Sequence, residues 1–266
     1  MAVTWERYAF NKNLSLEQRQ NWYLQNFGDF IVPFESGGSS TATGADTLLV
    51  SPYKINGSGT DPYSKFVITV NIPSSTTNPN ISSVILKNES DSTVSGWTGT
   101  NVQAGNAETL YFDRANIGGI KVLRLTKQTP TSANTVLFAK DDNTRYAAQN
   151  GANTKMVVFS MPFKSTTTTA AHNVGNIGFL THRSTREEHR SSSTASGNIQ
   201  LCSENIDWCN YPILNRYAVM GCITNFYTYD GTSSLAPILD TEFTITVNGR
   251  QSTFYSLGHG LCIREN

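Results

Sequence analysis

The sequence predicts an all-β protein: an antiparallel β-sandwich or jelly-roll type with one short N-terminal α-helix. Three observations lead there. Ser, Thr, Asn and Gly number 27, 32, 25 and 20, or 104 of 266 residues, while only 15% of the chain is charged. Uncharged hydrogen-bonding residues in such excess suit twisted sheets, turns and long loops. They also suit surfaces that meet other protein surfaces at little desolvation cost. Short runs rich in Val, Ile, Thr, Phe and Tyr recur along the chain, separated by turn residues. Helical start and stop signals coincide clearly in one place, near the N-terminus.

That helix is expected from Leu16 to Phe27. Ser15 and Gln18 stand three apart, the spacing of a capping box. Leu16, Tyr23, Leu24 and Phe27 fall on one face, and Gly28 follows where a C-terminal cap is wanted. Trp5, Tyr8, Phe10, Trp22, Phe30 and Phe34 surround the segment. Two readings compete for residues 1–40. The helix covers the end of a sheet, or the aromatic segment is a docking element, since aromatic residues are enriched at interface cores. The run from Ser36 to Ser40 would then be its hinge.

Strands are expected at Thr47–Val50, Lys65–Ile72, Ser83–Lys87, Glu108–Asp113, Ile120–Thr126, Thr135–Lys140, Lys155–Phe163, Ile177–His182, Arg216–Tyr229, Thr241–Val247 and Gln251–Leu257. Their lengths and spacing suit a sandwich, a jelly roll or paired β-domains. The clearest unit is the hairpin from Thr241 to Ser256. Phe243, Ile245 and Val247 alternate with threonines, and Asn248-Gly249 is the preferred two-residue turn. The polar stretch from Lys164 to His172 lacks apolar periodicity and marks a candidate boundary. It would separate a β-domain over 41–165 from a sandwich-like domain over 172–266. The alternative is one larger β-fold over 41–266. A mixed-charge run from His182 to Gly197 reads as a solvated loop.

The bulk numbers exclude several classes. With 20 basic and 20 acidic residues the net charge is zero, so no overall field draws nucleic acid or an anionic membrane. Apolar runs such as Met156–Phe159 are strand length, so membrane insertion is not expected. The N-terminus lacks the basic start and apolar stretch of a secretory signal. The chain is therefore expected to be made in the cytoplasm. Cys202, Cys209, Cys222 and Cys262 all lie in the last quarter, too sparse for a disulfide framework. They are expected to be reduced, with a Cys202–Cys209 bridge as the alternative in an oxidised particle. Sequons at Asn13, Asn56, Asn80 and Asn88 are what chance supplies in so much Asn, Ser and Thr.

Chemistry is hard to find. His182 and His189, then Cys202 and Cys209, would supply two imidazoles and two thiolates for zinc. Structural zinc motifs, however, put two to four residues between paired cysteines, not six. Asp141-Asp142-Asn143 gathers oxygen ligands without a closing calcium loop and reads as a turn. Nucleophile elbows and phosphate loops are missing; Gly118-Gly119 precedes a strand. A glycosidase would need paired carboxylates. The strand-end candidates are Glu108, Asp113, Glu204, Asp207, Asp230, Asp240 and Glu242. Trp97, Trp208, Tyr227 and Tyr229 offer stacking faces for sugar, although aromatics in strands are more often core. No catalytic, metal-binding or cofactor-binding residue is assigned, and no cofactor is expected.

The aromatic-helical segment Trp5–Phe34, the Ser/Thr/Asn/Gly-rich β-region behind it, the low charge and the missing signal together resemble accessory structural proteins of tailed-bacteriophage particles. These are the tail fibre, baseplate, adaptor and capsid-decorating proteins. The resemblance spans the chain but rests on texture and carries over no functional residue. It implies a non-enzymatic virion protein that assembles with other virion proteins and forms a homo-oligomer. The alternatives are a carbohydrate-binding or receptor-binding β-sandwich facing a host-surface glycan, and a cell-wall glycan hydrolase.

Overall fold

Antiparallel pairing organises the chain throughout the residues described in a computed structural model. These are residues 3–34, 44–50, 65–73, 78–87, 91–102, 108–130, 135–141, 156–160, 177–180, 200–201, 211–215, 218–223, 226–230, 239–247, 249–258 and 261–265. The elements in order are β1 (Glu6–Ala9), α1 (Leu16–Phe27), β2 (Ile31–Phe34), β3 (Gly44–Val50), β4 (Lys65–Ile72), β5 (Asn80–Lys87), β6 (Thr93–Val102), β7 (Tyr111–Ile117), β8 (Ile120–Thr126) and β9 (Val136–Asp141). They continue with β10 (Met156–Ser160), β11 (Ile177–Leu180), β12 (Gln200–Leu201), β13 (Tyr211–Asn215), β14 (Ala218–Ile223), β15 (Phe226–Asp230), β16 (Glu242–Val247), β17 (Arg250–Gly258) and β18 (Leu261–Arg264). The protein is all-β and sandwich-like, with one short helix among the described residues.

One sheet has six strands in the order β1-β7-β8-β9-β10-β11, and a second has five in the order β2-β3-β4-β5-β6. Their facing sides enclose the main core. Strand β4 shows why: Phe66, Ile68, Val70 and Ile72 alternate along it, so one side of the pleat is apolar and buried. They join Leu123 and Leu125 of β8 and Val136 and Phe138 of β9 in a single cluster. The short β2 carries Pro33 at the sheet edge, where no ladder bond is asked of its nitrogen. A third sheet, β12-β15-β18-β17-β16, and the β13-β14 pair come from the last third of the chain.

The helix forms where the capping box places it. The Gln18 N–H donates to Ser15 Oγ at 3.2 Å, and the Ser15 N–H donates to Gln18 Oε1 at 2.9 Å. Gly28 ends it in the right-handed region, with its N–H on the Leu24 carbonyl. The buried side differs from the expectation. Arg19, Tyr23 and Phe27, spaced by four, face inward, whereas Leu24 is 48% exposed. Leu24 lies one residue, about 100° of rotation, from Tyr23, outside that row. Phe10, Tyr23, Phe27 and Phe112 pack into the main core, with Tyr8 and Trp22 against it. Edge-to-face contacts such as Trp22 on Phe112, at 5.3 Å between centroids, order the cluster. Phe10, Tyr23, Phe27 and Phe30 of the N-terminal segment are thus sandwich core, and β1 is a strand of the six-stranded sheet.

Burial of charge was not foreseen. Arg19 is fully buried, donating from Nε and Nη2 to both oxygens of Asp46 on β3 at 2.7 and 2.9 Å. The Tyr23 hydroxyl donates to the same carboxylate, and burial together with that carboxylate holds its pKa well above the ordinary value. This pair fixes the helix to the second sheet. Lys65 is buried too, with its ammonium 3.2 Å from Asp91.

Several strand expectations shift. The strand placed at Glu108–Asp113 runs from Tyr111 to Ile117, and the Arg216–Tyr229 run is two strands, β14 and β15, that pair with different partners. An apolar run alone does not reveal such a break. The Thr241–Ser256 hairpin forms, with Val247 opposite Arg250 and Gly249 at φ 74°. The candidate boundary at residues 164–172 lies outside the described residues. The strands flanking it, β10 and β11, pair in the same sheet.

Candidate functional site

The centre of the six-stranded sheet is buried on both faces. Leu123 and Leu125 of β8 face the main core, while Ile120, Val122, Arg124 and Thr126 are buried on the other side. There the C-terminal sheet meets it through a polar junction. Arg124 lies 3.9 Å above the Trp5 ring and donates from Nη1 to both oxygens of Asp240 at 2.7 Å. Its Nε and Nη2 donate to Asp113 Oδ2 on the adjacent β7, at 3.2 and 3.0 Å. Arg7 of β1 takes the other oxygen of Asp113 at 3.1 Å. Tyr255 of β17 closes the circuit: its hydroxyl donates to Asp240 and accepts from the Trp5 indole at 2.8 Å. Burial pushes the Tyr255 phenol up to about 12. Asp240 sits at φ 62°, an αL position that Asp tolerates, at the entry to β16. One guanidinium therefore joins segments near residues 5, 113, 124 and 240. Its planar fork serves two carboxylates and an aromatic face at once, which an ammonium would not do.

The six-stranded sheet also borders an opening away from this junction. The cleft, of about 690 Å³, runs along the end of β7 beside the β7–β8 turn. Gly118 and Gly119 make that turn with φ 56° and 85°, between the paired Ile117 and Ile120. A side chain at Gly118 would meet the Arg264 carbonyl, 2.6 Å from its Cβ, so only glycine lets β18 approach so closely. The cleft walls carry two ion pairs. Arg114 Nε meets Glu6 at 2.6 Å, and Lys121 meets Asp29 at 3.3 Å. The hydrogen bond from Arg114, followed by that from Tyr8, holds the Glu6 carboxyl below its usual range. Glu265 also lines the cleft. Burial, and then the charge of Glu242, push its carboxyl up.

Of the carboxylates nominated from sequence, the fold brings Asp113 and Asp240 together, yet around Arg124. Both are committed to that guanidinium as ion-pair partners instead of facing each other across a substrate. Glu108 meets Lys127 at 3.0 Å, and Glu242 is exposed on β16. Glu204 and Asp207 lie outside the described residues. So do His182, His189, Cys202, Cys209, Trp208, Asp142 and Asn143. Asp141, Asp230, Trp97, Tyr227, Tyr229 and Cys222 are placed by their backbone in strands. Cys262 is a buried thiol. Among the described residues no cluster of three His, Cys, Asp or Glu side chains could hold a metal ion, and no helix is long and apolar enough to cross a membrane. Arg124 and Arg114 were missed in the sequence because a lone arginine in an apolar run carries no spacing signal. Gly118-Gly119 did carry one: a two-residue turn between strand-like runs. Comparisons with protein-family models, curated proteins and solved structures gave no match.

Proposed function

We propose that the chain is a non-enzymatic structural protein of a phage particle that works by protein–protein assembly. The observation that carries this reading is the Arg124 junction. It ties the N-terminal strand, the six-stranded sheet and the C-terminal sheet into one body at the cost of burying several charges. Buried ion networks contribute little net stability but hold parts in a fixed relative geometry. A static assembly component needs that geometry. The neutral, Ser/Thr/Asn/Gly-rich composition supports the same reading, because such surfaces desolvate cheaply on contact. A glycan hydrolase draws no support from carboxylates already neutralised by arginine. Position in the particle, whether tail fibre, baseplate, adaptor or capsid decoration, belongs to the proposal and not to the fold.

The test is the native mass of the full chain by light scattering across a dilution series. A ring or trimer that persists on dilution is the expected result. A particle of 29.2 kDa at every concentration would remove self-assembly from the reading. Deleting residues 1–35 would be uninformative, because Tyr23 and Phe27 are core and the deletion would unfold the sandwich.

A further inference from the structure

The geometry points to a self-pairing edge: β16 of one chain meets β16 of a second copy, antiparallel, across a twofold axis at Thr244. The partner is another copy of this chain, so the inference deepens the assembly reading above and rests on it.

β16 lies at the end of the C-terminal sheet, and β17 is its ladder partner among the described residues. The register shows which of its main-chain groups face outward. The Ser256 N–H donates to the Thr241 carbonyl, so position 241 points at β17. Val247 and Arg250 close the two-residue turn and point at each other. Thr253, opposite Thr244, turns its carbonyl the other way, onto the Glu265 N–H. Antiparallel pairs alternate between bonded and unbonded. The N–H and C=O groups of Glu242, Thr244 and Thr246 therefore face away from β17, and among the described residues no strand meets them.

An edge of that kind is a template for another strand unless charge, proline or a bulge blunts it. From Phe243 to Val247 the strand has neither charge nor proline, and its register with β17 runs from Glu242 to Val247 without a shift. The longer β6 is equally free of charge and proline. It carries Gly96 and Gly99, however, and its register against β5 shifts between Ile85 and Lys87. Such an irregularity bends and twists an edge away from flat pairing.

The residue pattern selects a second copy as the occupant. Centring the axis on Thr244 sets Thr244 against its twin and Glu242 against Thr246 in both directions. That arrangement forms roughly six main-chain hydrogen bonds. Phe243 then stands beside Ile245 of the other copy. Both are half-buried on the face packed against Phe254 and Cys262, and the contact would cover part of what remains. The threonines fall together on the exposed face, where cross-strand Thr pairs are favourable. Glu242 never opposes itself, because the two carboxylates sit about 14 Å apart along the strands. The edge thus complements itself in hydrogen bonding, hydropathy and charge, as a twofold contact requires.

The experiment follows the full chain by sedimentation across a dilution series, with circular dichroism as the check on folding. Thr244→Pro removes the N–H at the axis in both copies and touches no bond to β17. It should raise the dissociation constant roughly ten- to hundredfold. Thr244→Lys and Thr244→Glu each set like charges face to face and should weaken pairing roughly two- to fivefold. Mixed in equal amounts, the two should regain the parent's affinity, which a purely structural role of Thr244 would not produce. Under mild oxidation Thr244→Cys should give a disulfide joining the two substituted positions, since facing Cα atoms there are about 5.5 Å apart. Thr246→Cys should not, because its twin is about 14 Å away. No weakening by Thr244→Pro, no recovery on mixing, or linkage at position 246 instead of 244 overturns the contact. Oligomers broken by Thr98→Pro in β6 and untouched by Thr244→Pro also overturn it and leave the assembly reading standing. An assembly with an odd number of chains would do the same. A dimer and nothing larger bears out the contact while denying the ring or trimer. A strict monomer removes both.

Discussion

Replacing Arg124 by Met should cost about 3–5 kcal/mol of stability, the range for removing one partner from a buried ion pair. Methionine keeps most of the side-chain length but removes every donor. Asp113, whose side chain is 1% exposed, would keep Arg7 and lose two hydrogen bonds. Asp240 would lose its bidentate partner, although at 31% exposure it can recover some hydration. Trp5 would lose the cation above its ring, a contact worth about 0.5–2 kcal/mol. These losses share one guanidinium and do not add, so the burial of Asp113 sets the scale. Total stability of a domain is about 5–15 kcal/mol. At this chain length each kcal/mol moves the melting temperature by about 2–4 °C, giving a fall of roughly 6–20 °C. Urea unfolding followed by tryptophan fluorescence is the assay, with Trp5 as a reporter inside the junction. The double variant Arg124→Met with Asp113→Leu should recover part of the loss, because removing both charges leaves no orphan. If Arg124→Met falls within about 0.5 kcal/mol of the parent, the usual range for surface substitutions, the junction is solvated and the reasoning fails.

Gly118→Ala should destabilise by about 1–3 kcal/mol, since a left-handed φ combines with a 2.6 Å approach to the Arg264 carbonyl. Gly249→Ala, at φ 74° with nothing within 4 Å of its Cβ, should cost only the αL term of about 1–2 kcal/mol; a smaller loss at 118 than at 249 in chemical denaturation would contradict the packing. Tyr255 holds its proton to about 12 in the fold and to an ordinary value near 10 when unfolded. Its contribution is therefore complete below about pH 10 and is lost as pH rises toward 12; Tyr255→Phe should flatten that alkaline limb in melts taken from pH 9 to 12. Ser15→Ala removes one half of the capping box and should cost about 1 kcal/mol, measurable by helical circular dichroism and urea midpoint.

Residues with strictly local roles were legible in the chain. The helix from Leu16 to Phe27 follows from Ser15 and Gln18, which act across one turn. The β4 strand follows from alternation, and the β16–β17 hairpin from Asn248-Gly249. Leu24 was placed inward because helical spacing locates a face to within one residue and no better. Arg19 on the same helix carried no signal of burial, because nothing in the string shows that Asp46 will come within 2.7 Å of it. Strands β1 and β18 were missed for a related reason. Four-residue segments such as Glu6–Ala9 owe their conformation to β7, not to their own pattern.

The sequence by itself determined the class of structure: a neutral, all-β chain with one capped helix, because propensity, alternation and turn chemistry act over a few residues. Only the tertiary structure decided which charges are buried and which of them meet. Arg124 meets Asp240 across 116 positions of sequence. Trp5, near the start of the chain, meets Tyr255, 250 positions away. Such pairings depend on the summed packing of whole sheets, and no local window contains them.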